Sequence, residues 1–138
     1  MKIRTGFVSN SSSSNFIIAY KKPCTCPTCG LTPPDIISIV EARESSYNRV
    51  RWTDPTAKLE EIENEIAQYQ RDLESCLELS KPWVVSTIQR LQKLSQLIQE
   101  HNGDIVAEIE IDYHDGYLNG VFKEMVKNNH ICVLEADE

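Results

Sequence analysis

No apolar run in the sequence comes near the roughly 18 residues needed to cross a bilayer, so a membrane-spanning helix is not expected. Glycine is scarce, five in 138 residues, and none sits in a spaced loop that could cradle a phosphate. A nucleophile elbow and a His-Glu-x-x-His pair are also missing, which removes the familiar hydrolase and zinc-protease classes. An unfamiliar enzyme built on Cys26, Cys29 or His114 is the residual enzymatic reading. Basic side chains are in the minority, 14 against 21 acidic, for a net charge of −7. Such a balance disfavours nonspecific binding to nucleic acid, which depends on neutralising phosphates. There is no internal repeat. Lys2 and Arg4 are followed by a polar run from Ser9 to Asn15 where a secretory signal would need apolar residues, so a cytosolic chain is expected.

What is present is ordinary for a folded domain: 41% hydrophobic and 25% charged residues. The charge is uneven. Residues 1–53 carry seven basic side chains against three acidic, and residues 54–138 carry seven against eighteen. Phe16 to Tyr20 reads as a strand closed by Lys21-Lys22-Pro23. Asp35 is a suitable N-cap for a short helix whose apolar side is Ile36, Ile37, Ile39, Val40 and Ala42, fading by Ser45-Ser46. At 54–102 the pattern is strongest. Asp54 and Pro55 make a helix start, and Leu59, Ile62, Ile66, Tyr69, Leu73 and Cys76 follow in steps of three and four. Ser80-Lys81-Pro82 interrupts the run, since proline clashes within a helix. Val84, Thr87, Leu91, Leu94 and Ile98 resume the spacing, and Asn102-Gly103 ends it. This predicts an antiparallel helical hairpin of coiled-coil type, one flank of which needs a sheet or a second copy of the chain to cover it.

Residues 103–138 read as a βαβ unit. Ile105, Ala107, Ile109 and Ile111 alternate with acidic residues, Leu118 to Val126 have helical spacing, and His130 to Leu134 form a last strand. The expected fold class is α+β: a small sheet of about three strands with a C-terminal βαβ unit and the inserted helical hairpin. Residues 1–53 plus 103–138 would form the α+β domain, with 54–102 as the insertion.

Five cysteines occur, three of them within 24–30. In a reducing compartment such clustering points to metal rather than disulfide. Cys26-Pro27-Thr28-Cys29-Gly30 has the form of a zinc knuckle: two intervening residues let both sulfurs face one ion, and glycine allows the turn its positive φ. Cys24 can supply a third ligand and either His130 or Cys132 a fourth, if the last strand lies beside Phe16–Tyr20. The competing reading is a reduced turn without metal. In Tyr113-His114-Asp115-Gly116, Asp115 is read as the cap of the next helix and not as the partner of a catalytic histidine.

The opening, Met1-Lys-Ile-Arg-Thr-Gly-Phe-Val-Ser-Asn-Ser-Ser-Ser-Ser-Asn15-Phe16, resembles that of short uncharacterised proteins from tailed bacteriophages and some bacterial genomes. Those share a Gly-Phe-Val-Ser-Asn-(Ser)n-Phe segment, and some continue into a Cys-Pro-x-Cys-Gly turn. The resemblance spans about the first thirty residues, with Asn15 in place of a serine. It implies a phage-type accessory protein made in a bacterial host's cytoplasm, and carries no activity or ligand residue with it. It also turns the serine run from a linker into a candidate packed segment between Phe7 and Phe16. The expected function is non-enzymatic: binding of a host or phage protein through the acidic hairpin. The alternative is a zinc-containing nucleic-acid-binding protein acting through the basic N-terminal third.

Overall fold

A computed structural model describes residues 13–137. These form two compact units, one from the N-terminal segment through Thr53 together with Gly103 onward, the other from Asp54–Asn102. The first unit is α+β. Its strands are β1 (Ser13–Tyr20), β2 (Arg49–Trp52), β3 (Ile105–Asp112) and β4 (Ile131–Asp137), and its helices are α1 (Ile36–Ala42) and α4 (Gly116–Lys127).

All pairings in the sheet are antiparallel, in the order β2-β3-β1-β4. β1 lies between β3 and β4: Phe16 faces Ile109 on one side and Ala136 on the other. β3 and β4 therefore run parallel to each other without being neighbours. The expected βαβ unit is split by the N-terminal strand. The reason is in β1 itself: Ile17, Ile18, Ala19 and Tyr20 are all buried, so both of its faces and both of its edges are best placed in the middle of the sheet. The count of about three strands is also corrected to four. β2 was hidden in a short Arg49-Val50-Arg51-Trp52 alternation, whose arginines do not read as strand formers until their partners are known.

One face of the sheet holds the core. Ile18 and Tyr20 from β1, Ile109 and Ile111 from β3, and Ile131 from β4 pack with Ile36 and Val40 of α1 and Leu118 and Phe122 of α4. The Phe16 and Phe122 rings lie 4.6 Å apart, centroid to centroid. α1 starts where Asp35 accepts a hydrogen bond from the Ser38 N–H, and α4 where Asp115 accepts one from Leu118. The serine run is no linker where it is described. Ser13 and Ser14 are buried at the start of β1.

The second unit consists of α2 (Pro55–Ser75), one 3-10 turn (Glu78–Ser80) and α3 (Lys81–Glu100), with α2 and α3 packed on each other. Asp54 caps α2 by accepting from the Thr56 and Ala57 N–H groups, with Pro55 in the first turn. Pro82 likewise falls in the first turn of α3, where no helical bond is lost. Ile62, Val84, Ile88, Leu91, Leu94 and Ile98 are buried. Ile88 takes the inward position that step-counting gave to Thr87, which bonds the Trp83 carbonyl instead. No helix among the described residues is long and apolar enough to cross a membrane.

Candidate functional site

Three arginines of the N-terminal third, Arg43, Arg49 and Arg51, pair with carboxylates of their own unit. Arg43 grips Asp115 with both ends of its guanidinium, Nε to Oδ2 at 2.8 Å and an Nη to Oδ1 at 3.0 Å, and lies over the Tyr117 ring. Asp115 also accepts from Asn48 Nδ2 at 2.9 Å, while Asn48 Oδ1 accepts from the Asp112 N–H. Arg43, the Leu118 N–H and Asn48 together hold the Asp115 carboxyl at about 2, below its ordinary value. The expectation that Asp115 caps a helix thus holds, and its neighbour His114 is exposed. On the sheet face opposite the core, Arg49 Nε donates to Glu110 at 2.7 Å and Arg51 reaches both Glu110 and Glu108. Trp52 Nε1 donates to Glu108 at 2.7 Å, and the Ser13 hydroxyl to Glu110. Burial works against the Glu110 charge, but Ser13, Arg49 and Arg51 outweigh it and hold its pKa low. These are internal pairs, so Arg43, Arg49 and Arg51 are poorly placed to neutralise phosphates.

The Cys-rich turn forms as a closed structure. The Cys26 N–H donates to the Leu31 carbonyl at 2.7 Å and the Gly30 N–H to the Cys26 carbonyl at 2.9 Å. Gly30 has φ +74°, the left-handed region that a side chain would resist. Hydrogen bonding by the Cys29 and Thr28 backbone draws the Cys26 thiol below its ordinary pKa. The expected ligands, Cys24, Cys26, Cys29 and either His130 or Cys132, do not share a site, however. Among the described residues no three His, Cys, Asp or Glu side chains share a site that could hold an ion. β4 does lie beside β1, with Cys132 opposite Ala19, but β1 ends at Tyr20 and the turn that follows closes on itself rather than on β4. Cys24 and Cys29 are exposed, as are His130 and Cys132. Cys76 caps the end of α2.

No family model, curated protein or solved structure matches the chain.

Each unit carries a further surface of note. A cleft of about 530 Å³ runs along α4 and β1, with Phe16 and Phe122 as its apolar part and Tyr113, Asn119, Lys123 and Lys127 as its polar part. It has the size of a small-molecule pocket, and its lining holds no histidine, cysteine or carboxylate. The other surface is the end of the helical unit. Leu77 is 77% exposed, Leu79 95% and Trp83 51%, three large apolar side chains within seven residues. Trp83 is steadied edge-on by Tyr69, with ring centroids 5.9 Å apart and planes at 77°. Lys81 and Glu78 pair at 2.7 Å beside them. Seam-counting passed over Leu77 and Leu79 because they fall outside the three-and-four spacing. That departure is the signal: a large apolar residue off the seam and next to a helix break has no internal partner to bury it.

Along α2, Glu60, Glu61 and Glu65 line a shallow groove with Ala57, Asn64 and Gln68. The helical unit thus presents two chemistries, an acidic flank and an apolar end.

Proposed function

We propose that this chain is a non-enzymatic, phage-type accessory protein that binds a host or phage protein through an antiparallel, coiled-coil-like helical hairpin. The observation that carries the reading is the exposed group Leu77, Leu79 and Trp83 at the hairpin's turn. Leaving such side chains in water forgoes about 1.5–3 kcal/mol each relative to burial. Aromatic and aliphatic residues that sit in a partner's pocket are the usual anchors of an interface. The partner is a protein surface with an apolar pocket beside lysine or arginine side chains. Glu60, Glu61 and Glu65 on α2 supply the complementary charge, which raises encounter rates more than final affinity.

The test is tagged recovery from infected bacterial cells, run in parallel with two variants. Leu77→Ser with Leu79→Ser should abolish capture of a stoichiometric partner while leaving helix content and melting unchanged. Glu61, Glu65 and Asp72 changed to lysine should weaken capture mainly at low salt. Capture that survives loss of both leucines would refute the hairpin-end reading. Recovery that disappears on nuclease treatment, and depends on Lys21 and Lys22, would replace it with nucleic-acid binding through the N-terminal third.

A further inference from the structure

We propose that Cys26 and Cys29 from two copies of this chain hold a single zinc ion between them, joining the copies at the tip of the Cys-rich turn. The turn already has the form that a zinc ion asks of half its site. Its two hydrogen bonds fix the loop between Cys26 and Leu31, and Gly30 takes the left-handed φ of +74° that the turn needs, before any ion is bound. A backbone turn of this kind can offset the negative charge of metal-bound thiolates with its own N–H groups. Zinc in structural sites takes four ligands in a tetrahedron, and thiolates are among its preferred donors.

One copy supplies only two of the four. No third donor joins Cys26 and Cys29 among the described residues, and the first twelve positions of the sequence contain no Cys, His, Asp or Glu. In the proposed arrangement the remaining pair comes from a second copy, and the turn is placed to meet it. Cys26 is half-buried, but Cys29 and every other residue from Pro27 to Pro34 are exposed, so that side of the turn is open to a second molecule. Leu31, whose carbonyl closes the turn, is itself 71% exposed and offers an apolar contact around the ion. A two-fold axis through the zinc makes the arrangement self-complementary, since each copy presents the same two thiols. On binding, each thiol loses its proton to solvent and the sulfur lone pair goes to zinc, so four protons leave per ion. The resulting centre carries two negative charges, and Lys21 and Lys22 lie a few residues before the turn in each copy.

The full chain, purified under a non-thiol reductant that prevents disulfides, is titrated with zinc sulfate alone and followed by native mass spectrometry and metal analysis. The expected result is about half an equivalent of zinc per chain, in a dimer that a chelator returns to monomer. Cobalt in place of zinc should give the intense thiolate charge-transfer bands of a four-sulfur tetrahedral site. Cys26→Ser and Cys29→Ser should each abolish the metal-dependent dimer, while Cys24→Ser, Cys76→Ser and Cys132→Ser retain it. All five substitutions are conservative, and circular dichroism verifies that each variant folds. One zinc per monomeric chain would overturn the proposal in favour of a site completed within one molecule. Failure to retain zinc, or a dimer that persists in Cys29→Ser, would overturn it outright.

Discussion

Asp115 is the residue at which a single change should cost the α+β unit most of a pH-dependent increment. Its carboxylate is 8% exposed and takes both ends of Arg43, which is itself 43% exposed. The folded carboxyl titrates near 2 against an ordinary 3.8. A displacement of that size corresponds to roughly 2.5 kcal/mol at most. Solvent around the guanidinium screens the pair, so about 1–1.5 kcal/mol is the realistic share. Asp115→Asn keeps an oxygen to accept the Leu118 N–H but loses the charge, and should cost that share at neutral pH. Asp115→Ala also removes the helix cap and leaves Asn48 Nδ2 short of an acceptor, for a total of about 2–3 kcal/mol. Because the folded value is the lower one, the increment is whole above the unfolded pKa and lost as pH falls from about 4 to about 2. The assay is urea unfolding in a Trp83→Phe background, where Trp52 alone reports on the sheet. The gap between Asp115 and Asp115→Asn proteins should be constant from neutral pH down to about pH 5 and should close towards pH 2. A gap that is absent at neutral pH, or that persists undiminished at pH 2, would refute the assignment.

Three further outcomes are expected. Ile62, fully buried on α2, changed to alanine should lower the stability of the helical unit by about 2–5 kcal/mol, read from the thermal loss of helical circular dichroism. Gly103 follows α3 with φ +97°, so Gly103→Ala should cost about 1 kcal/mol, measured by denaturant midpoint, although a Cβ there meets no neighbouring atom. Glu110→Gln should destabilise the sheet by about 2 kcal/mol, because Arg49 and Arg51 then face a neutral amide, and the loss should shrink as pH falls through the acid range.

Local chemistry was legible wherever a residue acts on its own neighbours. Asp35, Asp54 and Asp115 are helix caps because each needs only the N–H groups two or three residues ahead. The turn at Cys26–Gly30 was legible for the same reason. Strand partnership was not, because hydrogen-bonded neighbours in this sheet are far apart in sequence. Nothing in Ile105–Asp112 or Ile131–Asp137 announces that Ser13–Tyr20 will lie between them. β2 escaped notice because its arginines are stabilised by Glu108 and Glu110, which lie more than fifty residues further on. The metal expectation also drew a ligand from across this gap. A strand beside β1 did bring Cys132 opposite Ala19, yet adjacency in a sheet does not carry over to a turn that leaves it.

The central place of β1 has a consequence for how the chain comes to be folded. During synthesis from the N-terminus, β1 is made first, but both of its partners, β3 and β4, come from the last third of the sequence. β2 is in the same position, since its pairing is with β3. The sheet therefore cannot begin to form until Ile105 and later residues have been made, whereas α2 and α3 are complete and adjacent well before then. Helix formation and local packing are fast, and closing long loops is slow. Once α2 and α3 have packed, the segment between Trp52 and Glu108 is no longer a free loop but a folded connector, and the entropy of bringing those two residues into register is largely spent already. In this order of events the helical unit assists the folding of the sheet. Shortening it by unpaired turns should slow assembly of the sheet even where the final structure is unchanged.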